Sequence, residues 1–127
     1  MIYGVGTDVI DVARIAAALE RWGERFAARI LSEPELRRFR DLGKPAAYLA
    51  KRFAAKEAFA KALGTGIRAP ANWHDIRVDN LASGRPVLQY SVPLKGLLET
   101  QRITNAHLSL SDERNVAFAT VIIECEN

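Results

Sequence analysis

Residues 48–66 read YLAKRFAAKEAFAKALGTG, and the expected architecture follows from this stretch. Its apolar side chains lie all around a helical wheel, which predicts a helix over residues 46–63 that is buried at the centre of the molecule. Gly64 follows where helices commonly end in a left-handed residue. Charges this close to a core need a partner or a ligand. Arg52, Lys56, Glu57 and Lys61 are embedded in this helix.

Glu57 and Lys61 are one helical turn apart, and the spacing allows two interpretations. They can form an ordinary i, i+4 ion pair, worth roughly 0.3–0.5 kcal/mol. Alternatively, the carboxylate holds a cation and the ammonium holds a phosphate. The small side chains around them, including Ala50 and Ala54, would let a ligand or another backbone come close.

The N-terminal stretch IYGVGTDVIDV, residues 2–12, predicts a strand because it is rich in β-branched residues. Alternation puts Gly4, Gly6 and Asp8 on one face, and the glycines indicate a close approach to the backbone. Asp8 can serve a turn, a cap or a sheet edge. It can also pair with Glu57, since Mg²⁺ is usually held by one or two carboxylates together with waters and substrate phosphates.

The remaining pattern predicts one α+β domain over residues 1–127, with an antiparallel β-sheet packed against the long central helix. Asp11 is a candidate cap for a helix over residues 13–21, and residues 32–35 have capping-box spacing. The later elements are strands over 75–80 and 87–91, a helix over 93–101 and a hairpin of 107–111 with 116–124.

Composition excludes several classes of protein. No run approaches the ~18 apolar residues of a membrane span. Asp8 and Asp11 near the N-terminus do not fit a secretory signal. Cys125 is the single cysteine, so a disulfide framework is excluded and a reduced, cytoplasmic protein is expected.

Positive charge is concentrated in the first half of the chain. Residues 1–68 hold 13 Lys and Arg against 8 Asp and Glu, whereas residues 69–127 hold 5 against 7. This asymmetry suits an acidic partner, although it also fits a solvated helical face.

Two further features are weak when taken alone. The turn Gly64, Thr65, Gly66 follows a helix and so differs from phosphate-binding loops that open one. It is either a plain helix end or a loop whose amides approach an anion. His107 begins a late strand, where a histidine is more often structural than functional.

Three segments together carry a family resemblance: GVGTDVIDVARI over 4–15, RFAAKEAFAKALGTGI over 52–67 and HLSLSD over 107–112. In this order and in a chain of this length, they closely resemble the holo-[acyl-carrier-protein] synthases, the small class of 4′-phosphopantetheinyl transferases. Many members carry a second histidine shortly after the first, whereas here Asp112 follows Ser111.

The resemblance implies an enzyme of fatty acid biosynthesis. A serine of apo-acyl carrier protein attacks the β-phosphate of coenzyme A, the phosphopantetheine arm is transferred, and 3′,5′-ADP leaves. Asp8 and Glu57 would ligate Mg²⁺, and Lys61 would neutralise the phosphate. Glu57, or water on the metal, would take the serine proton.

The resemblance also implies a homotrimer whose coenzyme A clefts lie between protomers. His107 would contact the nucleotide end of coenzyme A from a neighbouring protomer. Coenzyme A phosphates would be contacted by Arg52, Gly64, Thr65 and Gly66. Arg14 and Arg21 would dock the acidic carrier protein. No nucleic acid or membrane partner is expected.

The alternative interpretation is a small basic α+β module that binds RNA or another polyanion without catalysis. It accounts for the charge asymmetry. It leaves unexplained why Glu57 lies within the basic zone, and the chain shows no interleaved aromatics for base stacking.

Overall fold

The computed structural model describes all 127 residues and has five helices and five strands. In chain order they are β1 (Ile2–Asp11), α1 (Val12–Trp22), α2 (Glu24–Ile30), α3 (Glu33–Arg40), α4 (Pro45–Leu63), β2 (Ile76–Asn80), β3 (Pro86–Tyr90), α5 (Val92–Thr100), β4 (Ile103–Glu113) and β5 (Val116–Cys125). None of the helices has the length and apolar character that crossing a membrane requires.

Helix α4 is the centre of the fold, as its sequence predicts. Leu49 and Phe59 on this helix are fully buried. Gly64 ends the helix at φ +89°, in the left-handed conformation that favours glycine. Strands β1 and β5 pack along α4, and helices α1, α2 and α3 also contact it. The α+β class with a central helix is therefore confirmed.

Strand β1 lies directly on the backbone of α4 because two of its residues have no side chain. A Cβ on Gly4 would come 2.0 Å from the Ala62 carbonyl oxygen, and one on Gly6 would come 2.0 Å from the Ala58 carbonyl oxygen. The predicted close approach is confirmed, and the approaching backbone belongs to α4. The contact brings the next inward residue of β1, Asp8, beside the helix.

The main sheet is antiparallel, with β5 between β1 and β4. Its inner face packs on α4. Its outer face carries exposed apolar side chains, among them Val5, Val9 and Phe118. Strands β2 and β3 form a separate two-stranded sheet around the predicted turn, so the strands form two sheets in place of a single one.

A buried ion pair holds the other side of α4. Lys56 is fully buried, and its Nζ donates to Glu35 Oε1 at 2.6 Å, to the Ile30 carbonyl at 2.7 Å and to the Trp73 carbonyl at 2.9 Å. Burial lowers the pKa of Lys56, and the neighbouring Glu35 carboxylate opposes that shift. Three separate segments are thereby tied to one point on the helix.

The Glu35 carboxylate is fully satisfied at this point. It accepts hydrogen bonds from the backbone amides of Ser32 and Val78, both at 2.8 Å, in addition to the one from Lys56. The contact with Ser32 belongs to the capping box that the sequence predicts at the start of α3. Both oxygens of this buried carboxylate therefore have hydrogen-bond donors within the protein.

Helix α2 is an element that sequence patterning did not predict. It follows α1 directly, and the chain changes direction at Gly23, whose φ of +67° favours glycine. Glu24 at its start forms two hydrogen bonds with Arg40 of α3. Seven residues give too few turns for an apolar period to stand out.

Candidate active site

Asp8 and Glu57 meet where β1 crosses α4. Burial raises the pKa of the Glu57 carboxyl, and the charge of Asp8 raises it further. Lys61 acts in the opposite direction on the same group. The strand and the helix thus bring two carboxylates and an ammonium within electrostatic reach of each other.

The Asp8 carboxylate is largely withdrawn from solvent, with 14% of its side chain exposed. Oδ1 accepts a hydrogen bond from Lys61 Nζ at 3.1 Å. Oδ2 is buried and has no hydrogen-bond partner. A buried carboxylate oxygen without a partner is costly, and it marks a place where a cation or a donor belongs.

Lys61 bonds across to the strand and not along its own helix. Its Nζ donates to the Thr7 carbonyl at 2.9 Å as well as to Asp8. It forms no ion pair with Glu57, so the i, i+4 interpretation of this pair does not hold. About half of the Lys61 side chain, 53%, is exposed, and the ammonium remains accessible to an anion.

These residues fit Mg²⁺ better than a metal enclosed by protein ligands. No group of three or more His, Cys, Asp or Glu side chains could hold a metal ion on its own. Two carboxylates leave most of an octahedral shell to waters and substrate oxygens, as is usual for Mg²⁺. If Mg²⁺ binds here, the unpartnered Oδ2 of Asp8 would supply one ligand and Glu57 would supply another.

The turn after α4 offers fewer free amides than its sequence suggests. The amides of Gly64 and Gly66 both donate to the Ala60 carbonyl and so close the last turn of the helix. The Thr65 hydroxyl donates to the Gly66 carbonyl. A contact between this turn and an anion therefore depends on the Thr65 amide.

Arg52 lies away from the acid pair, on another face of α4. It precedes Lys61 by nine positions, which corresponds to roughly two and a half helical turns. Its guanidinium lies 4.4 Å from the centroid of the Tyr48 ring, and its Nη2 donates to Asn80 at 2.8 Å. Its Nε is buried and has no partner.

Arg52 lines a cavity of about 650 Å³ that is rich in basic residues. Its basic lining residues are Arg38, Lys44, Lys51, Arg52 and Arg77. The Nε of Arg77 is likewise buried without a partner. Asp112 lies on the wall 3.9 Å from Lys51 Nζ. The acids Glu35, Asp79 and Asp112 also line the cavity, so its five basic residues leave an excess of two positive charges, which suits an anionic ligand.

His107 does not join the acid pair within one chain. It lies on β4, with its side chain on the exposed outer face of the sheet, whereas Asp8 faces inward on β1. Strand β5 separates the two strands. His107 Nε2 lies 2.6 Å from Oε1 of Glu124 on β5.

Arg14 and Arg21 are both exposed on α1. They are seven positions apart, so they share one face of the helix. The Arg21 guanidinium lies 4.9 Å from the centroid of the Trp22 ring, and Trp22 is 57% exposed. Ile15, on a different side of the helix, is buried and anchors the helix to the core.

Sequence reasoning missed several residues of the cavity and of the outer sheet face. They are Tyr48, Lys51, Arg77, Asn80 and Glu124. A signal existed only for Lys51, which falls within the basic run from Arg37 to Lys61. Tyr48 lies on α4 itself, four positions before Arg52, whereas Arg77, Asn80 and Glu124 come from elements that are distant in the chain.

Comparison with known proteins agrees with this arrangement. Residues 4–121 match the model of the 4′-phosphopantetheinyl transferase superfamily. The chain is 52% identical over 124 residues to the holo-[acyl-carrier-protein] synthase of Azoarcus sp. strain BH72, covering 98% of each chain.

Solved structures give the same result for the fold. The crystal structure of holo-[acyl-carrier-protein] synthase from Neisseria meningitidis superimposes with a TM-score of 0.95 at 48% identity, covering 98% of this chain and 99% of that one. The Bacillus anthracis enzyme in complex with CoA (3′,5′-ADP) gives a TM-score of 0.84 at 36% identity, covering 99% of both chains.

Proposed function

The chain belongs to the holo-[acyl-carrier-protein] synthases of the 4′-phosphopantetheinyl transferase superfamily, and from this membership we propose how its residues carry out the reaction. The enzyme transfers the phosphopantetheine arm of coenzyme A to acyl carrier protein. The serine oxygen of the carrier bonds to the β-phosphorus, and the bond from that phosphorus to the bridging oxygen breaks. The serine loses its proton, and 3′,5′-ADP departs.

Asp8 and Glu57 hold Mg²⁺ in this proposal. The observation that carries it is the buried Oδ2 of Asp8, which has no partner in the protein. When bound, Mg²⁺ withdraws charge from the diphosphate and lowers the barrier to phosphoryl transfer. Because glycines press β1 onto α4, both carboxylates are held by backbone and are ready before substrate arrives.

Glu57 accepts the serine proton, and Lys61 stabilises the charge on the transferred phosphate. The raised pKa of Glu57 makes it a stronger base than an ordinary solvent-exposed glutamate. The half-exposed Lys61 ammonium can reach an anion while its stem stays on the helix. A water molecule in the same place is the alternative proton acceptor.

The nucleotide part of coenzyme A contacts Arg52, the turn of Gly64, Thr65 and Gly66, and His107. Support for Arg52 comes from its unpartnered Nε and from the four other cations around the same cavity. In the turn, the amides of Gly64 and Gly66 already donate to the Ala60 carbonyl. The amide of Thr65 is therefore the one that contacts coenzyme A. His107 has a ring that is about half exposed, with a side chain 51% accessible, so a ligand can reach it.

The enzyme acts as a homotrimer with sites between protomers. Two observations support this proposal. The outer face of the sheet exposes Val5, Val9 and Phe118, and an apolar face of this kind is typical of an interface. His107 lies on that outer face, remote from Asp8 of its own chain, so a neighbouring protomer can bring it to the acids.

The carrier protein docks on the exposed face of α1 through Arg14 and Arg21. Both are free of ion pairs within the chain, so their charge is available to an acidic partner. We further propose that the reaction takes place in the cytoplasm and serves fatty acid biosynthesis. The single cysteine, Cys125, suits a reducing compartment.

Mass spectrometry of the carrier protein tests the activity directly. Apo-acyl carrier protein incubated with coenzyme A, Mg²⁺ and the enzyme should gain about 340 Da, the mass of the arm that the cofactor carries. A carrier whose acceptor serine is replaced by alanine is the control and should gain nothing. An enzyme that binds RNA but adds no mass to the carrier would instead support the polyanion-binding alternative.

A further inference from the structure

His107 and Glu124 form a close pair on the outer face of the sheet. Nε2 of the ring lies 2.6 Å from Oε1 of the carboxylate. An ionised carboxylate can only accept a hydrogen bond, so the proton between them belongs to Nε2. Nδ1 is therefore the ring nitrogen that remains for another partner.

Glu124 provides a fixed support for the ring. It lies on the central strand β5 and pairs with Ile2 of β1 on one side and with Asn105 of β4 on the other. Its carbonyl also accepts from the Thr104 hydroxyl at 3.3 Å. The backbone beneath the carboxylate is thus held from both sides, whereas His107 lies on an edge strand.

The register explains why these two side chains meet. His107 pairs with Ile122, and Asn105 pairs with Glu124. The two residues are therefore diagonal neighbours on the same face, a separation that long side chains can bridge. Formation of the pair has a small desolvation penalty, because the side chains of His107 and Glu124 remain 51% and 40% exposed.

An exposed ion pair of this kind contributes little to stability, so its value for the fold is small. We propose that Glu124 is a positioning residue. It fixes the orientation and the protonated nitrogen of His107, so that Nδ1 is presented to the nucleotide end of coenzyme A. This inference rests on the proposed function, in which His107 contacts that part of the substrate.

The first test reads the ring directly and needs no activity. The chain has only two histidines, so the side-chain nitrogen signals of His107 can be assigned in NMR spectra with a His107→Gln variant. The neutral wild-type ring should carry its proton on Nε2. Glu124→Leu should give a mixture of tautomers, whereas Glu124→Gln retains an acceptor and should keep the wild-type form. An unchanged tautomer in Glu124→Leu would overturn the proposal.

The second test measures coupling between the two residues. Loss of one hydrogen bond of ordinary strength should raise the KM for coenzyme A about fivefold in Glu124→Leu. The KM for carrier protein should not change. Glu124→Gln should have a KM for coenzyme A close to that of the wild type. In the His107→Gln background, Glu124→Leu should have no further effect, because the two residues act as one unit.

Glu126→Leu is the matched control. It removes an acid two positions further along the chain, whose partner is Arg102 at 3.7 Å and not His107. It should leave both KM values unchanged. If Glu124→Leu alters the tautomer but not the KM for coenzyme A, or acts equally with and without His107, the positioning role is wrong. A wild-type enzyme that adds no mass to the carrier would reject the proposed function instead, while the NMR result would still stand.

Discussion

Lys61 Nζ lies 3.1 Å from Asp8 Oδ1, although Asp8 is 53 residues away in the sequence and Glu57 is one turn away on the same helix. The ammonium therefore joins the helix to the strand and leaves Glu57 without an ion pair. Two acids and one cation then share a small volume. The net negative charge that remains is the condition that a divalent cation requires.

Removal of either acid should abolish most transfer. Asp8→Ala and Glu57→Ala should each reduce kcat by about 100-fold or more, because loss of one partner in a charged site costs several kcal/mol. Circular dichroism should remain that of the wild-type enzyme. Glu99→Ala removes an exposed acid on α5 and serves as the control. Near-normal turnover of either variant at ordinary Mg²⁺ concentration would contradict the assignment.

The raised pKa of Glu57 predicts a stability change with pH when metal is removed by a chelator. A carboxyl whose pKa is higher in the folded protein contributes stability below its unfolded value, and this contribution is lost as pH rises through the folded value. Compared with Glu57→Gln, the wild type should therefore lose free energy of unfolding as pH rises from about 4.5, and Glu57→Gln should be at least as stable as the wild type at neutral pH. The variant is the necessary reference, because the lowered pKa of Glu24 acts in the opposite direction in both proteins.

Urea titrations of both proteins across this pH range measure the effect. Mg²⁺ should restore stability to the wild type at neutral pH, because a ligand that binds only the folded state stabilises it. It should have little effect on Glu57→Gln. Equal stabilisation of the two proteins by Mg²⁺ would mean that Glu57 is not a ligand.

Charge reversal on α1 should affect the carrier protein alone. Arg14→Glu and Arg21→Glu should raise the KM for acyl carrier protein and leave that for coenzyme A nearly unchanged, since rim charges act mainly on encounter. Wild-type activity should fall as salt concentration rises. Arg85→Glu, in the turn between β2 and β3, makes the same charge change elsewhere and should be neutral. Equal weakening of both substrates would place the docking surface on another face.

Subunit mixing should reveal a site shared between protomers. His107→Ala and Glu57→Ala, each strongly impaired alone, should regain activity when they are unfolded and reassembled together. Some clefts then receive both substitutions and others receive none. If both residues served the site of one chain, every cleft would keep one lesion. A monomer by light scattering that still turns over would refute the shared site.

Breaking the buried pair of Lys56 and Glu35 should lower the free energy of unfolding. Lys56→Met leaves the Glu35 carboxylate buried without its cation and should cost about 3–5 kcal/mol in the free energy of unfolding. Glu35→Gln combined with Lys56→Met should cost less than the sum of the two single changes, because the groups interact directly. Denaturant titrations measure all three variants. Simple additivity would show that the pair is not energetically coupled.

Sequence patterning predicted the central helix and the first strand because their signals are local. Asp8 and its two glycines alternate within one strand, and Gly64 marks the end of one helix. The pairing of Asp8 with Glu57 that two short segments suggested agrees with their electrostatic contact in the structure. Helix α2 was missed because its seven residues are too few to show a period.

The partners of the charged residues could not be predicted in this way. Lys61 bonds to Asp8 across 53 residues and Lys56 to Glu35 across 21, and no local pattern encodes either pair. The position of Arg52 relative to Lys61 can be predicted from the sequence. The two residues are nine positions apart, a spacing that puts them on different faces of the helix. What the sequence lacks is the tertiary contact that decides which charge meets which.

Gly4 and Gly6 have a consequence for mutational sensitivity. Their contact with the carbonyls of α4 makes the separation of Asp8 from the helix a property of the main chain. A methyl group at either position would lift the strand and carry the carboxylate with it. Activity-based scanning would therefore rank these two glycines beside the acids themselves, although neither has a functional group. In this enzyme, tolerance to substitution is a poor guide to which residues touch the substrate.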